Sequence, residues 1–320
     1  MNNLNEIQNQ FAKTYPAPPT FLNPKEPNFY YQSYGERFYR FFKAYDWFCN
    51  LGIKLQPGRI HEYKKLFEKY KDNPEDLFKG PHDENFEMAV NALRETDEIS
   101  WIHEGLIKHD EIYSKDVIQK MSDGGFKRKD DTTANQARDF EFELRIVTYF
   151  LRAGFPVDLS SDADIIVNIR GYSLYVECKR IKSNKQLYKR ISEANLQLMR
   201  RYIHHVHPKE PVGLIVIDTY DLLFPNYSFI VSSSSEYIVN DIRMRLNKIA
   251  NDKKVMRFKK QNRRTIGIWQ NIIAPVFTVD SPQITTRFHS LYSPFCSLNT
   301  PFGRIWEEMR VSFEQTQYFK

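Results

Sequence analysis

The stretch 164–181, DIIVNIRGYSLYVECKRI, constrains the fold more than any other part of this 320-residue chain. Two runs rich in β-branched and aromatic residues flank Arg170-Gly171, and predict antiparallel strands over 164–169 and 172–181 joined by a tight turn. Side chains alternate along a strand, so Tyr175, Glu177, Lys179 and Ile181 share one face of the second strand, and Val176, Cys178 and Arg180 the other. A two-residue turn pairs Ile169 with Tyr172. It then sets Asp164 directly across from Glu177, and Asp162 across from Lys179. A slip of one residue would throw the two acids onto opposite faces.

The flanking pattern supplies the rest of an α/β unit. Residues 138–153 predict a helix stopped by Gly154, and 155–159 a short strand. Leu187, Ile191, Ala194, Leu198 and Tyr202 mark an amphipathic helix over 184–206. The continuous apolar run 212–218, VGLIVID, suits a strand covered on both faces. Strand, helix and strand over 172–218 predict a βαβ crossover. Further on, a helix is expected over 236–250, strand-like pieces near 266–279, and loops after Pro282. Upstream, the proline-rich start (1–28) predicts irregular chain. Aromatics at three- and four-residue spacing (Phe38, Phe41, Phe42, Tyr45, Phe48; Tyr63, Leu66, Phe67, Tyr70) predict helical pieces from Tyr30 to about Lys120. The polar stretch 122–136 predicts a linker or mobile loop. The chain thus divides into a mostly helical region (1–121), that linker, a central unit (137–225), and a basic α+β extension (226–320) completing the same domain.

The acids on these elements carry the chemistry. Glu143 shares a helix face with Ile146, Val147, Phe150 and Leu151, the side expected to meet the sheet. Glu141 shares a face with Arg145 and Arg152, and reads as a surface acid with an i,i+4 partner. Asp164 and Glu177, directly opposed, repel each other without compensation. A divalent cation supplies it, since one or two carboxylates with waters and a substrate phosphate describe a magnesium site. Lys179, two residues along the same face, would sit beside the metal-bound water and lower its pKa or stabilise charge developing on a phosphate.

Glu143, Asp164 and Glu177-Cys178-Lys179, placed on a helix and two consecutive strands, resemble the PD-(D/E)xK nuclease superfamily, and most closely its Mrr-like and archaeal resolvase-like branches. The resemblance covers about 80 residues. It departs from the family pattern at Ala163, where a proline would precede the Asp. Gln197 and Tyr202 are one residue too far apart for the RecB-like motif. The resemblance implies a restriction-endonuclease-like core, with helix, three strands, helix and strand in a mixed sheet flanked by helices. It implies that Asp164 and Glu177 bind Mg²⁺, for which Mn²⁺ substitutes. Lys179 would then activate or position the water, and Glu143 would bind or orient a second ion or its waters. The implied activity is a metal-dependent DNA endonuclease, in restriction or another antiviral defence, acting as a homodimer.

Charge points the same way. The formal net charge is +6, yet residues 1–120 carry 16 Lys/Arg against 19 Asp/Glu, so the excess lies downstream. Its densest run is Lys253, Lys254, Arg257, Lys259, Lys260, Arg263 and Arg264, seven cations in twelve residues. Such a run neutralises phosphates and releases counterions; its bland alternative is a solvated surface. The acidic N-terminal region reads as a specificity, oligomerisation or partner-protein module. Cys49, Cys178 and Cys296 form neither a disulfide framework nor a zinc motif. With no apolar run near ~20 residues and no signal-peptide core, the expectation is a cytoplasmic protein away from membranes. Neither the histidines at 204, 205 and 207 nor Gly124-Gly125 completes a metal or nucleotide motif. Two rival readings remain at this stage: a catalytically silent nucleic-acid-binding module, and a protein-interaction module acting through the N-terminal region.

Overall fold

The computed structural model describes residues 33–78, 84–109, 113, 115–125, 136–159, 164–205, 209–225, 229–278 and 284–316. The expected irregular start (1–28), most of the expected linker (126–135) and Asp162 lie outside the described residues.

The helical periodicity upstream becomes α1 (Tyr34–Asn50), α2 (Arg59–Lys69), a 3₁₀ turn (Pro74–Phe78), α3 (Glu84–Leu106) and α4 (Lys115–Ser122). Ser33 and Glu36 form a reciprocal capping box at the start of α1, which satisfies amides the helix leaves open. Then come α5 (Ala137–Arg152), β1 (Val157–Asp158), β2 (Ile165–Ile169), β3 (Tyr172–Arg180), α6 (Asn184–Ile203), β4 (Glu210–Asp218), α7 (Tyr220–Leu223) and β5 (Ile230–Ser232). The chain closes with α8 (Ser235–Ala250), α9 (Lys253–Gln261), β6 (Thr265–Thr278), β7 (Ile284–Pro294) and α10 (Pro301–Thr316).

The described strands form one mixed sheet in the order β1-β2-β3-β4-β6-β5, with β7 also paired to β6. β2 and β3 are antiparallel with Ile169 opposite Tyr172, the register expected from the two-residue turn. Arg170 and Gly171 both have positive φ, 49° and 82°. A two-residue hairpin needs that conformation to match strand twist, so Arg170 accepts the left-handed region usually left to Gly or Asn. β3 then pairs in parallel with β4, and β4 with β6.

Alternation divides the core between the two faces. Val167, Leu174, Val176, Leu214 and Val216 join one apolar cluster with α1–α5 and α10. Ile166, Tyr175, Ile215 and Ile217 join another with α6 and α9. Gly213 makes the approach of α6 possible, since a Cβ there would lie 2.0 Å from the Tyr202 hydroxyl and 2.8 Å from Leu198 Cδ1.

Three sequence expectations are corrected. The strand-like pieces near 266–279 are a single long strand, β6. The segment after Pro282 is not loop: β7 pairs with β6 over eleven positions, and α10 follows. The alternation of β7 is diluted by Thr, Ser and His, whereas Phe302, Ile305, Trp306, Met309 and Phe313 carry a helical spacing in the sequence itself. Glu141 is not a surface acid paired with Arg145. It is 2% exposed, and its Oε2 lies 2.7 Å from Arg59 Nη2. Arg145 instead meets Glu98 Oε1 at 2.8 Å and Asp218 Oδ2 at 3.2 Å. The reason is tertiary: α3 and α4 pack on the outer side of α5, so both sides of that helix are interior.

Candidate functional site

β3 supplies two of the four expected residues. Glu177 points to the α6 side and is 0% exposed. Lys179 follows on the same face, its side chain 15% exposed, with Nζ 3.3 Å from Glu177 Oε2 and 3.6 Å from Asp164 Oδ2. Asp164 stands immediately before β2, and its Oδ2 accepts the Cys178 amide at 2.9 Å. The hairpin register therefore brings Asp164, Glu177 and Lys179 into one charged group.

Glu143 approaches from α5, the helix packed on the Cys178 side of the sheet. Burial and then the Asp164 charge push its carboxyl up to about 8. Burial and then Asp164 push Glu177 up to about 7. Burial works against the Lys179 ammonium, but Asp164 and Glu177 more than offset it and hold the group protonated. Asp164 and Glu177 thus flank the lysine, and burial more than neighbouring negative charge raises the proton affinity of Glu143 and Glu177.

One cation in this group was missed in the sequence. Arg201 on α6 places Nε 3.6 Å from Glu177 Oε1. It follows Leu198 by three residues, so it borders the inward stripe of the helix, and that spacing was the available signal. Even so, Glu177 Oε1 is buried without a hydrogen-bond partner, a costly condition for a carboxylate oxygen. An orphaned oxygen beside a second carboxylate is a donor set that suits a hard divalent cation. Among the described residues, no three His, Cys, Asp or Glu side chains gather in a metal-binding arrangement. Asp164 and Glu177 are thus the donors at hand, with Glu143 in electrostatic range.

The basic run folds as α9 and the turn after it. Val255, Phe258 and Asn262 turn inward, while Lys253, Lys254, Arg257, Lys259, Arg263 and Arg264 are exposed; Lys260 lies on the same helix. α9 tracks α6 closely. Lys254 Nζ sits 4.7 Å from the Tyr188 ring, Asn262 donates to Asn195 at 3.2 Å, and Arg264 lies over Tyr202 at 5.9 Å. The cationic helix is therefore neighbour to the helix that carries Arg201 to Glu177.

A second group invisible in the sequence lies behind the site. Arg59, Arg94, Arg138 and Arg145 are all buried with Glu95, Glu98, Glu141 and Asp218. Arg59 meets Glu95 and Glu141, and Arg138 meets Glu95 at 2.7 Å. Glu95, Asp97 and Glu98 of the N-terminal region are thus engaged by buried arginines. At the end of β3, Arg180 lies 3.4 Å from both Asp139 of α5 and Asp221 of α7, tying the site strand to its neighbours.

No family model, curated protein or solved structure matches the chain. No helix among the described residues is long and apolar enough to cross a membrane, and the three cysteines are free.

Proposed function

We propose that this chain is a metal-dependent nuclease that hydrolyses phosphodiester bonds, acting on DNA as an endonuclease. The observation that carries this reading is the Lys179 ammonium set within 3.6 Å of both Asp164 and Glu177, two opposed carboxylates on a hairpin. The order α5, β1, β2, β3, α6, β4 supports a restriction-endonuclease-like core, and the position of each acid on that order supports the family resemblance.

Asp164 and the orphaned oxygen of Glu177 would hold Mg²⁺ or Mn²⁺. When bound, the ion supplies Lewis-acid polarisation of the scissile phosphate and lowers the pKa of a coordinated water. Lys179 positions the attacking water and stabilises charge growing on the phosphate. Glu143, in electrostatic range of Asp164, would bind or orient a second ion or its waters. Arg201 steadies Glu177 from the α6 side. The exposed cations of α9 hold the flanking phosphates. A role in restriction or antiviral defence, a homodimer that cuts both strands, a protein partner and a cytoplasmic location all belong to this same reading.

The test is cleavage of plasmid and linear DNA with Mg²⁺ or Mn²⁺, against EDTA and Lys179→Ala. Cutting abolished by both controls supports the nuclease. Salt-dependent binding without cutting on any DNA or RNA would favour the silent binding module, which the complete Glu143, Asp164, Glu177 and Lys179 set argues against.

A further inference from the structure

The basic run does more than line a surface. Two of its cations, Lys259 and Arg263, line a cleft of about 450 Å³. That lies within the ~300–1,000 Å³ range of small-molecule sites. Its lining also holds an aromatic pair, Tyr172 and Phe302, packed edge to face at 5.8 Å between ring centroids. Tyr172, Glu210 and Thr265 are the first residues of β3, β4 and β6, so the cleft opens at the N-terminal ends of the parallel strands. The carboxylate group sits near the other end of β3. Five residues along the strand separate Tyr172 from Glu177, roughly 17 Å at strand rise. The cleft therefore lies apart from the carboxylate group.

We propose that this cleft takes one nucleotide unit, with its base on the Tyr172–Phe302 pair and its phosphate on Lys259 and Arg263. Neighbouring features select this chemistry. An aromatic ring stacks on any base. Asn262 and Thr265 also line the cleft, their side chains held by Asn195. The exposed Glu210 carboxylate at the rim leaves the three charges at a net +1 and disfavours highly charged small anions. Lys253, Lys254 and Arg257 continue the cationic track along α9, so a strand whose nucleotide enters the cleft meets further cations beyond it. The proposal rests on the nucleic-acid reading of the basic run, and is independent of cleavage.

Half-buried Cys296 lines the cleft, while Cys49 is exposed elsewhere and Cys178 is buried. Alkylation of Cys296 by iodoacetamide, followed by peptide mass, therefore reports occupancy, with Cys49 as internal control. The measurement uses the full chain in EDTA, so that no cutting occurs. It is run at alkaline pH, because burial raises the Cys296 thiol. Deoxyadenosine monophosphate is expected to slow Cys296 labelling at saturation. Inorganic phosphate and deoxyadenosine should each be weaker by about tenfold or more in concentration, since the first cannot stack and the second brings no phosphate. Lys259→Glu with Arg263→Glu removes the protection, and Phe302→Leu weakens it. Protection by a single strand but not by the mononucleotide assigns the cleft to a nucleotide within a strand; protection by both assigns it to free nucleotides as well. The proposal is overturned if neither protects, if inorganic phosphate or an all-abasic strand protects equally, or if the charge reversals leave protection intact. Salt-dependent DNA binding without Cys296 protection would overturn the cleft alone and leave the basic interface standing.

Discussion

The Cys178 amide donates a hydrogen bond to Asp164 Oδ2 at 2.9 Å. That single bond ties the acid at the entrance of β2 to the strand that carries Glu177 and Lys179. A charge-assisted bond of this kind is shorter and stronger than a neutral one, and it fixes Asp164 beside the Lys179 ammonium near the end of the site strand. The acid is thus positioned by backbone as well as by the Lys179 side chain.

Lys179→Ala should abolish most cleavage, with a loss of about 10²–10³-fold, the usual scale for removing a charge-stabilising group. Glu177→Gln should lose Mn²⁺ binding as well, read by titration calorimetry. Retained Mn²⁺ affinity in Glu177→Gln would remove that residue from the metal site.

The ion pairs behind the site are fully buried, so breaking one leaves an uncompensated charge. Arg59→Met should destabilise the fold by about 3–5 kcal/mol, since it leaves Glu141 buried without its ion-pair partner and Glu95 with Arg138 alone. Urea denaturation measures this. A loss under about 1 kcal/mol would mean that water reaches those acids, because surface pairs are worth no more than that.

Acid should unfold the chain partly through Glu95. Burial alone would raise this carboxyl, but Arg138 and Arg59 reverse the effect and hold it at about 2, against a starting value of 4.5. A folded value below the unfolded one stabilises the fold above pH 4.5, and that contribution fades as pH falls toward 2. It is on the order of 3 kcal/mol. Urea midpoints taken between pH 5 and pH 2 should fall steeply in the native chain, and less so in Glu95→Gln.

Gly213→Ala should cost about 1–3 kcal/mol through overpacking. Its new Cβ meets Tyr202 and Leu198, which flank Arg201 on α6. Cleavage should therefore fall further than stability alone explains. Comparing activity at a temperature where the variant remains folded separates the two effects.

Charge reversal at Lys253, Lys254 and Arg257 should weaken DNA binding across all sequences. The slope of log K against log salt should shrink by about 0.9 for each phosphate no longer neutralised. An unchanged slope would place the DNA elsewhere.

The hairpin was legible because its information is local. Alternation and a two-residue turn fix which side chains share a face, and so Asp164, Glu177 and Lys179 could be placed together from the chain alone. The inward stripes of α5 and α6 were legible for the same reason. Glu141 shows the limit. Its helix reads as one-sided, and only the packing of α3 and α4 on the far side makes it interior.

Periodicity by itself determined the secondary structure around the site, the strand register and the facing of its charges, because each depends on backbone geometry within a few residues. Only the tertiary structure decided the partners. Arg201 reaching Glu177, Arg59 reaching Glu141, and the cleft gathered from the starts of β3, β4, β6 and α10 join residues far apart in the chain. Charge and burial across such distances depend on which surfaces meet, and no local pattern encodes that.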